Sequence, residues 1–442
     1  MHKPRRRASW GPFRDWGSIF TAQYNVFLAI VALLSAAPFL SRLRETLPWL
    51  VLSALLATVV IAYRRRSEAR VVVALVATFV VALGSATMAE MEHDGRRARV
   101  FGAEAARIEP VSRHLLVGYR RKEDIEALLE RFDFAGVFVT ARNAAGKSRE
   151  ELAAEIAALQ AIQARHGRAP LMIATDQEGG NVARLSGPLP WRASLAAFGD
   201  DDVAVAVERA RGLGEETAAD LRSVGVNVNF APVVDLRLAD AGLTDRNSRI
   251  SERAIAADPE KVARVAKAYA QAMTEAGVMP VAKHFPGLGR LHADTHVSDA
   301  ILDARLATLV RTDWLPFREL AQAHASAVMV GHAIVPSVDS AGPASTSAAV
   351  VTSVLRTALG HDGLVFSDDL CMAPTYRRGV ARSARAALAA GVDVLLVTYD
   401  LDVVYEILAA LAGEAAPAAS DRRLDHARRH LAPPSAATVA RR

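Results

Sequence analysis

The sequence predicts an α/β protein: a (β/α)8 barrel of the TIM type, preceded by an all-α transmembrane region of three helices. Three observations predict it. Beyond residue 100, short β-branched apolar runs alternate with Ala-, Glu- and Arg-rich amphipathic stretches, the pattern of a parallel sheet covered by helices. Polar residues follow directly on most of those runs, and a barrel gathers such positions on one face. Before residue 90, three long stretches carry no charge.

Those stretches are Gly17–Ser41, Thr46–Tyr63 and Val71–Ala89, each about the length that crosses a hydrocarbon core as a helix. A cleaved signal peptide would account for the first alone, and a buried helical hairpin is the plainer alternative for the set. Lys3, Arg5, Arg6, Arg7 and Arg14 precede the first run, whereas Arg64, Arg65, Arg66 and Arg70 separate the second from the third. Two crossings separate these clusters, so they fall on the same side. The larger leading cluster places the amino terminus in the cytoplasm. The expectation is a multi-pass protein of the cytoplasmic membrane, with the bilayer as a partner and the barrel on the outer side. Residues 1–90 form the anchor, 91–110 a linker, 111–412 the barrel and 413–442 an Ala-, Pro- and Arg-rich tail with a helix at Ser420–Leu431.

The predicted strands are Leu115–Tyr119, Gly136–Thr140, Leu171–Thr175, Val226–Phe230, Val278–Ala282, Ala327–Val330, Leu364–Phe366 and Val392–Val397. Between most of them lie helical stretches: Arg149–His166, Val203–Ser223, Pro259–Ala276, Thr308–His324 and Ser347–Leu359. A doubly wound open sheet is the alternative, but no Gly-x-Gly-x-x-Gly turn follows the first strand. After successive strands come Asp176–Gly180, Ala231–Asp235, Lys283-His284, Gly331-His332 and Ser367–Asp369. In a barrel these all reach the face where active sites sit.

The net charge of +5 suggests nucleic acid at first sight, but the arginines concentrate at the two ends with no aromatic-interleaved basic face, so nucleic acid is not expected as a partner. One cysteine, Cys371, excludes an intrachain disulfide and a cysteine-cluster metal site.

The densest chemistry lies in Val281–His296, VAKHFPGLGRLHADTH. Pro286, Gly287 and Gly289 break the strand into a loop able to carry side chains over a pocket. Asp294 and His296, one residue apart, suit proton transfer, because the carboxylate fixes the imidazole tautomer and stabilises the imidazolium. Ser367-Asp368-Asp369-Leu370 sets two carboxylates at the end of the seventh strand, one free to face the barrel axis and one to cap the next turn. A carboxylate facing a proton donor is what glycosidic bond cleavage needs. A metal-dependent hydrolase with His284, His296, His332 and Asp368 as ligands remains open on these residues alone.

Five motifs together, ATDQEGGNVARL (Ala174–Leu185), NFAPVVDL (Asn229–Leu236), ISERAIAADP (Ile250–Pro259), KHFPGLGRLHADTH (Lys283–His296) and FSDDL (Phe366–Leu370), resemble glycoside hydrolase family 3, and within it the single-domain β-N-acetylglucosaminidase branch. The resemblance spans about residues 110–410. It implies a retaining mechanism with Asp368 as nucleophile, His296 as acid/base and Asp294 as its partner. It also implies sugar-binding roles for Asp176, Arg184, Arg253, Lys283 and His284, and neither a metal nor an organic cofactor. Two positions depart from the family pattern: Leu288 stands where a histidine is usual in Pro-Gly-His-Gly, and Asn181 where an arginine often follows Gly-Gly.

What the resemblance implies is removal of non-reducing terminal N-acetylglucosamine from a glycan, with peptidoglycan fragments as the expected source. A phosphorylase or a β-glucosidase of the same family, or a non-catalytic glycan-binding protein held at the membrane, are the alternatives.

Overall fold

The computed structural model describes residues 84, 88–238, 247–324, 326–398 and 401–431. The chain divides into two units, Met1–Asp94 and Gly95–Arg442. In the first unit residues 88–94 are helical, carry Glu90, Glu92 and Asp94, and expose Met88 and Met91. Among the described residues no helix is long and apolar enough to cross a membrane. This corrects the expected three-helix transmembrane region, and with it the multi-pass membrane localisation and the bilayer as a partner. The helix described there is short and charged, and a residue such as Asp94 costs roughly 2.5–3.5 kcal/mol at a bilayer centre, so it does not prolong the expected third span. The runs Gly17–Ser41 and Thr46–Tyr63, and Val71–Ala89 apart from residues 84, 88 and 89, lie outside the described residues.

The second unit contains the barrel. Its strands are β1 (Leu115–Gly118), β2 (Gly136–Phe138), β3 (Met172–Thr175), β4 (Val228–Asn229), β5 (Met279–Phe285), β6 (Ala327–Val330), β7 (Val365–Ser367) and β8 (Leu395–Val397). All pair in parallel in the order β8-β1-β2-β3-β4-β5-β6-β7. A bridge between Phe366 and Val394 joins the two ends of that order. Each strand falls on a predicted run, because strands buried on both faces read as continuous Val/Ile/Leu-rich segments.

Between them run α1 (Arg149–Arg165), α2 (Val203–Ser223), α3 (Pro259–Glu275), α4 (Leu306–Arg311), α5 (Leu315–Gln322) and the π-type α6 (Ala349–Ala358). Ser148 and Glu151 form a capping box at the start of α1, and Asp202 and Asp258 cap α2 and α3. Gly225 and Gly277, at φ 86° and 81°, turn α2 and α3 back towards their next strands. The stretch predicted as one helix, Thr308–His324, is broken into α4 and α5. Trp314 is drawn into the core, its indole N–H donating to the carbonyl of Pro286 at 3.0 Å, and Pro316 has no N–H to continue the ladder.

Two apolar cores result. One lies between strands and helices; the other fills the barrel, where Phe138 stacks on Phe230 and Phe230 meets Phe366 edge-on, each at 5.5 Å. The interior cluster also takes in Leu424 and Leu431, from and just after α7 (Ala418–His430). Arg428 of the same helix is buried, pairing twice with Asp133 at 2.9 Å and donating to the carbonyls of Ala169 and Pro170. With the lumen packed and α7 against the strand starts, the polar residues gather at the strand ends.

Candidate active site

Asp368 is the first residue beyond β7. Its N–H donates to the carbonyl of Val330 at 2.9 Å, and its Oδ1 accepts the N–H of Asp369 at 2.8 Å. Burial opposes its ionisation, but the imidazoles of His284, His332 and His296 outweigh burial and hold its pKa below the usual aspartate value. Asp369 takes the opposite course. Its buried carboxylate accepts from Cys371 N–H at 2.9 Å and from the Thr398 hydroxyl, and so caps the turn. Burial pushes its pKa up to about 6, with the charge of Asp368 adding to the effect. The two neighbouring carboxylates are thereby set apart, with the one facing the histidines favoured as the anion.

The proton device is on the loop after β5. His296 Nδ1–H donates to Asp294 Oδ1 at 2.8 Å, with Ser248 Oγ 3.2 Å from the same nitrogen. Asp294 also accepts N–H groups from His296 and Asn247, both at 2.9 Å. Burial alone would raise the Asp294 pKa, yet these hydrogen bonds drive it well below the ordinary value. Burial pulls His296 down, but the bond to Asp294 and the charges of Asp368 and Asp294 bring its pKa above 6.5. Replacing Asp294 with Asn removes its charge and leaves only a neutral acceptor for the bond. The alkaline limb of kcat/KM, set by loss of the His296 proton, should then move to lower pH, with a loss of about 10²-fold at pH 8; a pH–rate profile checks this.

A cluster of opposite charges flanks the pair. Lys283 Nζ contacts Asp176 at 2.5 Å and Glu178 at 2.7 Å, and Arg253 grips Glu178 through two bonds of 2.8 and 2.6 Å. Burial opposes the charge on Glu178, but Arg253 and Lys283 hold its pKa to about 2. Asp176 lies at the base of an antiparallel ribbon, Gln177–Gly179 with Val182–Ala183. Arg184, close by, is half-exposed with its Nε 4.0 Å from Asp176. His284 turns its Nδ1 to Asp235 at 2.7 Å, and Asp235 also accepts the N–H of Leu288 at 2.7 Å.

All eight residues expected at the site are described. Lys283 and Asp176 touch directly, as do His296 and Asp294, and Arg253 joins Lys283 through Glu178. Arg184 sits loosest. Lys283 and His284 belong to β5 itself rather than to the loop after it. Lys283 bridges to Val233 of the preceding connection, and the strand carries on to Phe285.

Sequence reasoning missed Glu178, Asp235 and Ser248 as parts of the site. The first two were visible only as polar residues beyond strand ends. His332 has both ring nitrogens engaged, with Ser345 at 2.7 Å and the carbonyl of Asp369 at 2.9 Å. It is therefore a structural histidine and not a spare metal ligand. A cavity of about 630 Å³, lined by Met279, Arg422, His426 and Leu431 among others, lies at the strand starts and borders none of the site residues.

Residues 105–432 match the Glycosyl hydrolase family 3 N terminal domain. A protein named Beta-hexosaminidase from Thiobacillus denitrificans is 40% identical over 280 residues, covering 62% of this chain and 74% of that one. A glycoside hydrolase family 3 β-N-acetylglucosaminidase from Paenibacillus superposes with a TM-score of 0.67 at 28% identity; the match covers 75% of this chain and 63% of that chain, under two thirds of its length. NagZ from Neisseria gonorrhoeae, solved with N-trifluoroacetyl-D-glucosamine, gives 0.62 at 27%, covering 74% and 91%.

Proposed function

Because the chain belongs to glycosyl hydrolase family 3, we propose that it is a retaining β-N-acetylglucosaminidase in which Asp368 is the nucleophile and His296, oriented by Asp294, the acid/base. The observation that carries this reading is an aspartate held as the anion beside a histidine whose Nδ1 is locked onto a carboxylate. Asp368 attacks the anomeric carbon while the protonated His296, through the nitrogen not bound to Asp294, hands its proton to the departing oxygen. A glycosyl ester on Asp368 results. His296, now neutral, takes a proton from water, which attacks the same carbon and frees Asp368.

Asp176, Arg184, Arg253, Lys283 and His284 bind the sugar in this account. Carboxylates accept from its hydroxyls, and the cations donate to hydroxyl and acetamide oxygens. Glu178 balances Arg253 and Lys283 before substrate arrives. Peptidoglycan fragments are the proposed natural source of the sugar, on the family resemblance alone.

The test is release of 4-nitrophenol by the full chain from the N-acetyl-β-glucosaminide and the β-glucoside, with and without phosphate. A preference for the acetamide substrate of at least ~10²-fold is expected, with free N-acetylglucosamine as product in both buffers. Equal turnover of the glucoside would favour a β-glucosidase, and a sugar 1-phosphate product a phosphorylase. Glycan binding without turnover of either substrate would favour a binding protein.

A further inference from the structure

Among the fully buried ionisable groups that the mechanism above leaves unused is the imidazole of His332, just beyond β6. A carbonyl only accepts, so the 2.9 Å contact with Asp369 requires the His332 proton on Nε2. Burial pulls its pKa below 6.5 and favours the neutral ring, in which the Nδ1 lone pair accepts the hydroxyl of Ser345 at 2.7 Å. Ser345 is itself fully buried and is tied by its own N–H to the carbonyl of Gly331 at 3.2 Å. Two apolar side chains would fill this space without the desolvation cost of a histidine and a hydroxyl. What the polar pair holds is the residue next to the nucleophile.

We propose that Ser345, His332 and Asp369 form a positioning relay that fixes the Asp369–Leu370 peptide, and across the Asp369 Cα the N–H that aims the Asp368 carboxylate. The proposal rests on Asp368 being the nucleophile. The turn is pinned at several points. His332 Nε2–H and Met372 N–H share the carbonyl of Asp369, both at 2.9 Å. Thr398 and Cys371 hold its carboxylate. Its N–H belongs to the preceding peptide and is held across the Asp369 Cα, which the carbonyl and the carboxylate both anchor; it donates to Asp368 Oδ1 at 2.8 Å. Ser345 sets the tautomer, His332 carries the constraint from β6 to β7, and the Asp369 N–H delivers it to the reacting carboxylate. His332 is a positioning residue and does not touch substrate.

Full-length His332→Gln, His332→Asn, Ser345→Ala and Asp368→Asn, compared by steady-state kinetics, pH profile and thermal melting, test the relay. Glutamine places an amide nitrogen near the Nε2 position and still reaches Asp369; asparagine fills the Nδ1 position and does not. In His332→Asn, kcat should fall about 10²-fold, the cost of misplacing a reacting group by about 1 Å, with KM within about threefold. The groups facing Asp368 are His284 on β5, His296 on its loop, His332 just beyond β6 and Asp369 beside it. Both histidine variants lose the imidazole, but only His332→Asn loosens the Asp369 N–H, so the acid limb of kcat/KM should lie at higher pH in His332→Asn than in His332→Gln. His332→Gln should recover to within about tenfold of wild type at a similar melting temperature. Ser345→Ala, which removes one hydroxyl, should lose roughly tenfold in kcat and serves if the histidine variants fail to fold.

Equal losses in the Gln and Asn variants, a loss confined to KM, an acid limb at the same pH in both, or full activity in Ser345→Ala would each overturn the relay. Asp368→Asn separates the two levels. Surviving turnover there sinks the nucleophile assignment itself, whereas a silent Asp368→Asn beside an unaffected His332→Asn sinks only the relay.

Discussion

Asp368→Asn should lose turnover, with kcat on 4-nitrophenyl N-acetyl-β-glucosaminide falling on the order of 10⁴- to 10⁶-fold, the scale seen when a nucleophile is removed from a preorganised site. The amide keeps an oxygen for the Asp369 N–H, so the loss reads chemistry and not collapse of the turn. Stability supplies a second signature. The folded pKa of Asp368 is lowered, so its contribution is present above the unfolded value of about 3.9 and is lost as pH falls through the folded one. Wild type and variant should differ in denaturation midpoint near neutrality and converge in acid.

His296→Ala should divide substrates by leaving group. A sugar alcohol cannot depart without a proton, so kcat/KM on a disaccharide should drop about 10²- to 10⁴-fold, the usual share of general acid catalysis. A nitrophenolate leaves unaided, so on that substrate the first step should barely change, and kcat should be limited by slow release of the glycosyl-enzyme. A pre-steady-state burst of nitrophenol in the variant is the measurement. Equal losses on both substrates would assign His296 to binding.

The barrel was legible because its strands are buried on both faces and its helices are amphipathic with capped starts, features that are local in sequence. Asp368 was legible because two consecutive carboxylates close a strand, and the Asp294–His296 pair because its partners are two positions apart. The remaining contacts are not local. Lys283 meets Asp176 across 107 positions and His284 meets Asp235 across 49, so nothing near Glu178 or Asp235 in the sequence tells which side chain each will hold. The end of β5 was placed too early because Lys283 and His284 looked polar enough for a loop; their strand position comes from the neighbouring backbone of Pro232 and Val233. The break near Trp314 depends likewise on a carbonyl 28 positions away. The membrane expectation rested on uncharged runs of spanning length and the basic clusters between them, and no described helix supports it.

The central claim is a covalent intermediate on one carboxylate. A fluorinated N-acetylglucosamine donor with a good leaving group forms that ester quickly and hydrolyses it slowly, so peptide mass spectrometry after brief incubation can locate it. The account predicts the sugar on the peptide containing Phe366–Leu370, attached to Asp368, in wild type and not in Asp368→Asn. A label on another residue, or steady turnover with no labelled peptide, would contradict it.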